Sequence, residues 1–156
     1  MSTNNNIAGS RRINPPGASP KLTEAQVWKG LEIKARDPAD FVPSVTSCEV
    51  VKDTEKSVTR VVSFGGNPPI TEEIEIHNGA IIYFNSADIG TSITNTLSYD
   101  EDGELILTFC FAGGIPGTQA SDLPPSRQEL GKRVSAGVQH TISTIRKLVE
   151  NGTITV

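Results

Sequence analysis

The chain predicts an α+β fold: a curved antiparallel sheet of about seven strands wrapped around one long C-terminal helix, with an internal cavity between them. Three observations predict it. From Asp53 to Phe111 the sequence is a succession of short alternating segments joined by legible turns. One long capped helix, from about Ser126 to Glu150, follows them. Six strands closed by a single amphipathic helix cannot bury their polar inward-facing residues without leaving a cavity. That cavity is where a functional site is expected.

Taken in order, Met1 to about Asn6 is polar, repetitive and without an apolar face, so it is expected to be a disordered tail. The remainder, 7–156, is expected to be one ligand-cavity domain, since 156 residues suit a single core. Ile7 to Ile13 reads as a first edge strand, and the proline-rich Pro15 to Pro20 forces a loop. Thr23-Glu24-Ala25-Gln26 is a capping box opening a helix with Val27, Trp28, Leu31 and Ala35 on its inner face. That helix stops near Arg36-Asp37, and Asp37-Pro38 restarts a short helical turn that Phe41-Val42-Pro43 closes.

Strands follow at Ser47–Lys52, Ser57–Phe64, Ile70–His77, Ala80–Ser86, Thr91–Tyr99 and Glu104–Phe111. Asn78-Gly79 reads as a two-residue type I′ turn. It pairs His77 with Ala80, Ile76 with Ile81, Ile74 with Tyr83 and Glu72 with Asn85. Glu101-Asp102-Gly103 suits a three-residue loop, which pairs Tyr99 with Leu105, Leu97 with Leu107, and Asn95 with Phe109. Between the third and fourth strands a loop centred on Asn67 pairs Phe64 with Ile70 and Arg60 with Ile74. Ala112 to Pro125 is a long glycine- and proline-rich loop of the kind that forms lids. A second capping box, Ser126 to Glu129, opens the last helix, which carries Val134, Val138, Thr141, Ile142, Ile145 and Val149 at helical spacing.

Composition excludes several function classes. The formal charge is −4 and the basic residues are scattered, so there is no stripe for nucleic acid. No apolar run is long enough for a bilayer span, and the start lacks the regions of a secretory signal. The expected location is cytoplasmic. Cys48 and Cys110 sit within strands and read as small buried hydrophobes. With two badly placed histidines and two separated cysteines there is no metal-ligand spacing. His77 and His140 fall on solvated faces.

Strand alternation sorts the remaining polar residues. Arg60, Glu72, Tyr83, Asn85 and Asn95 share the inner face under the registers above, whereas Glu73, Glu75 and His77 point outward. A carboxylate in a partly dry pocket can serve as acid or base while a neighbouring cation or phenol stabilises developing charge. Glu72, Tyr83 and Arg60 are therefore the catalytic candidates. Trp28, Phe64, Asn85, Asn95, Phe109, Val138 and Ile142 are the ligand-binding ones. An equally physical reading makes Arg60–Glu72 a structural bridge near the sheet's end.

The order strand, helices, six strands, long helix resembles the helix-grip fold of the START/Bet v 1-like (SRPBCC) superfamily. A narrower likeness rests on Ile13-Asn14-Pro15-Pro16-Gly17, on Leu22-Thr23 and Val27 to Leu31, and on Lys34 to Pro38, Phe41-Val42-Pro43 and Cys48-Glu49-Val50. Arg60 and Phe64-Gly65 extend it into the third strand. These segments resemble the small fungal and bacterial family named after the acetylaranotin biosynthesis cluster protein L. The likeness covers Ile7 to Ile154, mostly through caps, turns and core. It implies a hydrophobic ligand cavity, a place in fungal secondary metabolism and chemistry that needs no metal or cofactor. Two function classes follow. One is a cofactor-independent isomerase, cyclase or lyase acting on a hydrophobic intermediate. The other is a carrier for a hydrophobic metabolite or lipid. The partner expected is a small hydrophobic molecule rather than nucleic acid or membrane, and a homodimer stays open.

Overall fold

A computed structural model of the chain describes residues 4–118 and 125–156. Seven strands and two helices follow one another as β1 (Ile7–Arg12), α1 (Glu24–Arg36), β2 (Val45–Asp53), β3 (Ser57–Phe64), β4 (Ile70–His77), β5 (Ile81–Ser86), β6 (Thr91–Tyr99), β7 (Leu105–Ala112) and α2 (Arg127–Glu150). The strands form one antiparallel sheet in the order β1-β7-β6-β5-β4-β3-β2. The first strand therefore closes against the last, while the others are consecutive hairpins.

Both helices begin as their sequences dictate. Thr23 Oγ1 accepts from the Gln26 amide, and the Gln26 side chain accepts from the Thr23 amide. Ser126 Oγ accepts from the Glu129 amide. The apolar stripe of α2, comprising Val134, Val138, Ile142 and Ile145, is fully buried against the sheet and α1. Gly9 in β1 permits this approach, because a Cβ there would stand 2.9 Å from Val134 Cγ1 and Ser135 Oγ. After α1 the expected short helical turn forms as a single turn, with the Phe41 and Val42 amides both donating to Pro38 O. Pro43 disfavours the helical region at Val42, so the turn cannot propagate.

The Glu101-Asp102-Gly103 loop pairs β6 and β7 in the expected register, Tyr99 with Leu105 through Ile93 with Phe111. The other two hairpins differ. Between β3 and β4, Val62 pairs with Ile70 and Arg60 with Glu72, two residues from the expected alignment. Phe64 pairs with Val45 of β2, and the Gly65 amide donates to Ser44 O, so this end of β3 belongs to its other neighbour. An even shift preserves parity, and Arg60 and Glu72 stay inside.

Between β4 and β5 the shift is odd. His77 pairs with Ile81, Ile74 with Phe84 and Glu73 with Asn85. A type I′ turn needs positive φ at both central residues. Gly79 has φ 81°, but no non-glycine among the described residues takes positive φ. The loop therefore widens to Asn78-Gly79-Ala80, and every β5 side chain changes face. Ile82, Phe84 and Ser86 are buried, whereas Ile81, Tyr83 and Asn85 lie on the outer surface. The inward placement of Tyr83 and Asn85 is thus overturned. The gain is that Ile82 and Phe84 enter the core in place of a phenol and an amide.

The amino-terminal segment is partly tied down. Asn6 Oδ1 accepts from the Gly113 amide, and Arg127 Nη1 donates to Asn4 O. The remainder of the expected disordered tail, residues 1–3, and the centre of the expected lid loop, residues 119–124, lie outside the described residues. Cys48 and Cys110 are free thiols and only half-buried.

Candidate functional site

The inner face of the sheet carries a polar cluster within the apolar core. Arg60 and Glu72 stand directly opposite on β3 and β4 and are 4% and 1% exposed. Arg60 Nε and Nη2 both donate to Glu72 Oε1, at 2.9 and 2.8 Å. Its Nη1 donates to Lys34 O and Ala35 O, carbonyls of the last turn of α1. These contacts satisfy helix-end acceptors that would otherwise be orphaned and place a cation where the helix dipole favours one. Four bonds occupy four of the five guanidinium donors. Both carboxylate bonds fall on Oε1, and among the described residues no hydrogen bond engages Glu72 Oε2.

Sequence reasoning missed Lys34. Its helical spacing from Val27 and Leu31 puts it on the buried stripe of α1, a signal masked by the usual solvation of lysine. It is 7% exposed, and its Nζ donates to Asn95 Oδ1 at 2.7 Å. The ammonium lies 4.9 Å from the Phe84 ring centroid and 4.7 Å from that of Phe109, within cation–π range. Burial, with the Arg60 charge adding to it and Glu72 opposing, lowers the Lys34 pKa to about 7. Near neutral pH this amine can therefore take up or release a proton.

The other expected residues divide. Asn95 faces inward, as its β6 register requires. Trp28, Phe109, Val138 and Ile142 are packed in the main core. Tyr83 stacks edge-on against His77 on the outer face, with ring centroids 5.6 Å apart. Asn85 accepts from Ser92 Oγ on that face. Neither can reach Arg60 or Glu72 from there.

A cleft of about 840 Å³ opens at the loop end of the sheet. Phe64 and Ile70, Ile89 and Thr91, Ile115, and Leu130 and Arg133 of α2 are among its lining residues. This cleft lies between the β3–β4 and β5–β6 turns and the amino-terminal turns of α2, and Phe64 is the one expected ligand residue in its wall. Glu72 lies one inner-face position deeper than Ile70 on the same strand, just below this cleft. Among the described residues no group of three or more His, Cys, Asp and Glu side chains could hold a metal ion. No helix among them is long and apolar enough to cross a membrane.

A seven-stranded antiparallel sheet gripping one long C-terminal helix is the helix-grip architecture of the START/Bet v 1-like (SRPBCC) proteins. Solved structures share it. An aromatase/cyclase, ZhuI, from Streptomyces sp. R1128 superimposes with a TM-score of 0.59 at 15% identity, over 92% of this chain and 94% of its own. StfQ, a di-domain aromatase/cyclase of the steffimycin biosynthetic pathway, gives 0.64 at 11% identity, over 96% of this chain and 52% of its own. Ara h 8.0201 gives 0.52 at 14% identity, over 94% of this chain and 97% of its own. At these identities the likeness concerns the fold. The chain belongs to the family described as acetylaranotin biosynthesis cluster protein L, whose profile matches residues 7–152. A search of curated protein sequences gave no match.

Proposed function

We propose that this protein is a cytoplasmic, cofactor-independent isomerase, cyclase or lyase that acts on a hydrophobic natural-product intermediate in fungal secondary metabolism. The observation that carries the reading is the buried Arg60–Glu72 pair, one inner-face position from Ile70 of the cleft wall, with Oε2 of the carboxylate unengaged among the described residues. Family membership and the biosynthetic cyclases that share the fold support it. The cleft confines a pliable substrate and supplies the orientation that makes an intramolecular closure fast. Glu72 takes a proton from carbon next to a carbonyl and returns it elsewhere on the same molecule, so no redox partner is needed. Arg60, with four donors committed, positions Glu72 rather than binding substrate. Lys34 lies behind this pair and feels the charge of both residues.

Non-catalytic carriage of the same ligand is the second reading. It is favoured by the use of Arg60 to tie α1 to the sheet, which a purely structural bridge would also do. Candidate intermediates incubated with the purified protein and followed by mass spectrometry separate the two. A time-dependent product that disappears in Glu72→Gln supports the enzyme, and saturable binding without conversion by the unmodified protein supports the carrier. Glu72→Gln leaves Arg60 buried without its counter-charge, at a cost of roughly 3–5 kcal/mol. The double variant R60M/E72M removes both charges and is expected to keep most of the stability while losing turnover.

A further inference from the structure

Two buried hydroxyls lie at the cleft, one in its wall and one paired beside it on the neighbouring strand. Ser86 and Thr91 face each other as the last pair of β5 and β6. They are 3% and 6% exposed, and among the described residues neither Ser86 Oγ nor Thr91 Oγ1 has a hydrogen-bond partner. Thr91 itself lines the cleft. A buried hydroxyl left unpaired costs stability, so apolar side chains would serve the fold better at both positions. The cleft wall mixes apolar side chains, including Phe64, Ile70 and Ile115, with polar ones, including Asn67, Asp88 and Arg133.

Register brings these hydroxyls toward the proposed reacting group. Glu73–Asn85 is the last pair of β4 and β5, and the same register continued by one step sets Glu72 opposite Ser86, in line with the Arg60–Glu72 and Ser86–Thr91 pairs. Nearest neighbours in such a row have Cβ atoms about 5 Å apart. An anionic group would be repelled by Glu72, whose cationic partner is already committed. A neutral acceptor oxygen would meet two donors.

We infer that Ser86 and Thr91 form a carbonyl-anchoring subsite that selects ketone-bearing ligands and holds the carbon next to that carbonyl against Glu72. The inference rests on the cleft being the ligand site proposed above. It adds the functional group that is recognised and the residues that recognise it.

The test is a pair of NMR titrations of the isotope-labelled full chain. The probes are 2-acetylnaphthalene and 2-ethylnaphthalene, which share an apolar body and differ in the carbonyl. Both are expected to shift the amides of Ile70, Thr91 and Ile115, with the ketone bound roughly 3–10-fold more tightly, the worth of one net hydrogen bond. Ser86→Ala and Thr91→Val are each expected to erode that preference, and S86A/T91V to abolish it. The unliganded melting temperature of these variants should stay level or rise. Equal affinity of the two probes for the unmodified protein overturns the anchor while leaving the cleft reading intact. So does a preference that survives S86A/T91V. A variant that melts lower yet keeps the preference shows the hydroxyls to be structural. Shifts that avoid the cleft, or no binding of either probe, overturn the cleft reading and the anchor with it. A preserved ketone preference without turnover of any intermediate would defeat the catalytic proposal alone.

Discussion

Lys34 shows how far one residue can depart from its ordinary chemistry. Its amine lies near two aromatic rings and, among the described residues, has one amide oxygen as hydrogen-bond partner, and burial lowers its pKa to about 7 from 10.5. Between those values the unfolded chain binds more protons than the folded one, so stability rises with pH across that window and levels off below it. The Lys34 contribution to this slope approaches roughly 1.4 kcal/mol per pH unit. Urea unfolding between pH 6 and 9.5 should show the rise in the unmodified protein and a flatter profile in Lys34→Met. A K34M profile that rises as steeply would refute the assignment. The same period that marks Val27 and Leu31 as core marks Lys34, so its burial was legible from position and hidden by residue type.

At the scale of elements, close approach decides the fate of each glycine. Gly30 of α1 faces Ile145 of α2, and an added Cβ would overlap that fully buried side chain. Gly30→Ala gains at most about 1 kcal/mol of helix propensity, but overpacking costs about 1–3 kcal/mol. The net effect should be destabilising in chemical denaturation. Gly137 is on the open side of α2 with nothing near its would-be Cβ. Gly137→Ala should therefore stabilise by about 0.5–1 kcal/mol. Opposite signs for the same substitution would verify the α1–α2 contact, whereas two stabilising changes would argue against it. Register belongs to this scale too. The Glu101-Asp102-Gly103 loop could be read correctly because a two-residue turn there would set the Leu/Phe series of β7 opposite Ser98, Thr96 and Thr94, a poorer apolar face, whereas Asn78-Gly79 invited a tighter turn than the chain makes.

For the whole molecule, α2 packs most closely on β1, β7 and α1, its Val134, Val138, Ile142 and Ile145 join the main core, and the cleft opens beside Leu130 and Arg133 near its amino terminus. A ligand there stabilises the folded state through mass action, by about 2.7 kcal/mol at a hundred times its Kd. For a chain of this size that corresponds to roughly 5–10 °C in melting temperature. A thermal-shift series with 2-acetylnaphthalene should show a concentration-dependent rise that shrinks in S86A/T91V. A rise of equal size in both proteins would place the stabilising contacts elsewhere.

By itself, the sequence determined the α+β class, the order of the elements, both helix starts and the inward faces of β3, β4, β6 and β7. Those features follow from caps, local periodicity and parity, which act within a few residues of one another. The tertiary structure decided the face of β5, and with it the exclusion of Tyr83 and Asn85 and the admission of Ser86. It also decided the direct opposition of Arg60 to Glu72, the burial of Lys34 and the position of the cleft. Each depends on how far one strand slides past the next or on what packs across the core. A slide of one residue reverses every side chain while leaving the local pattern untouched.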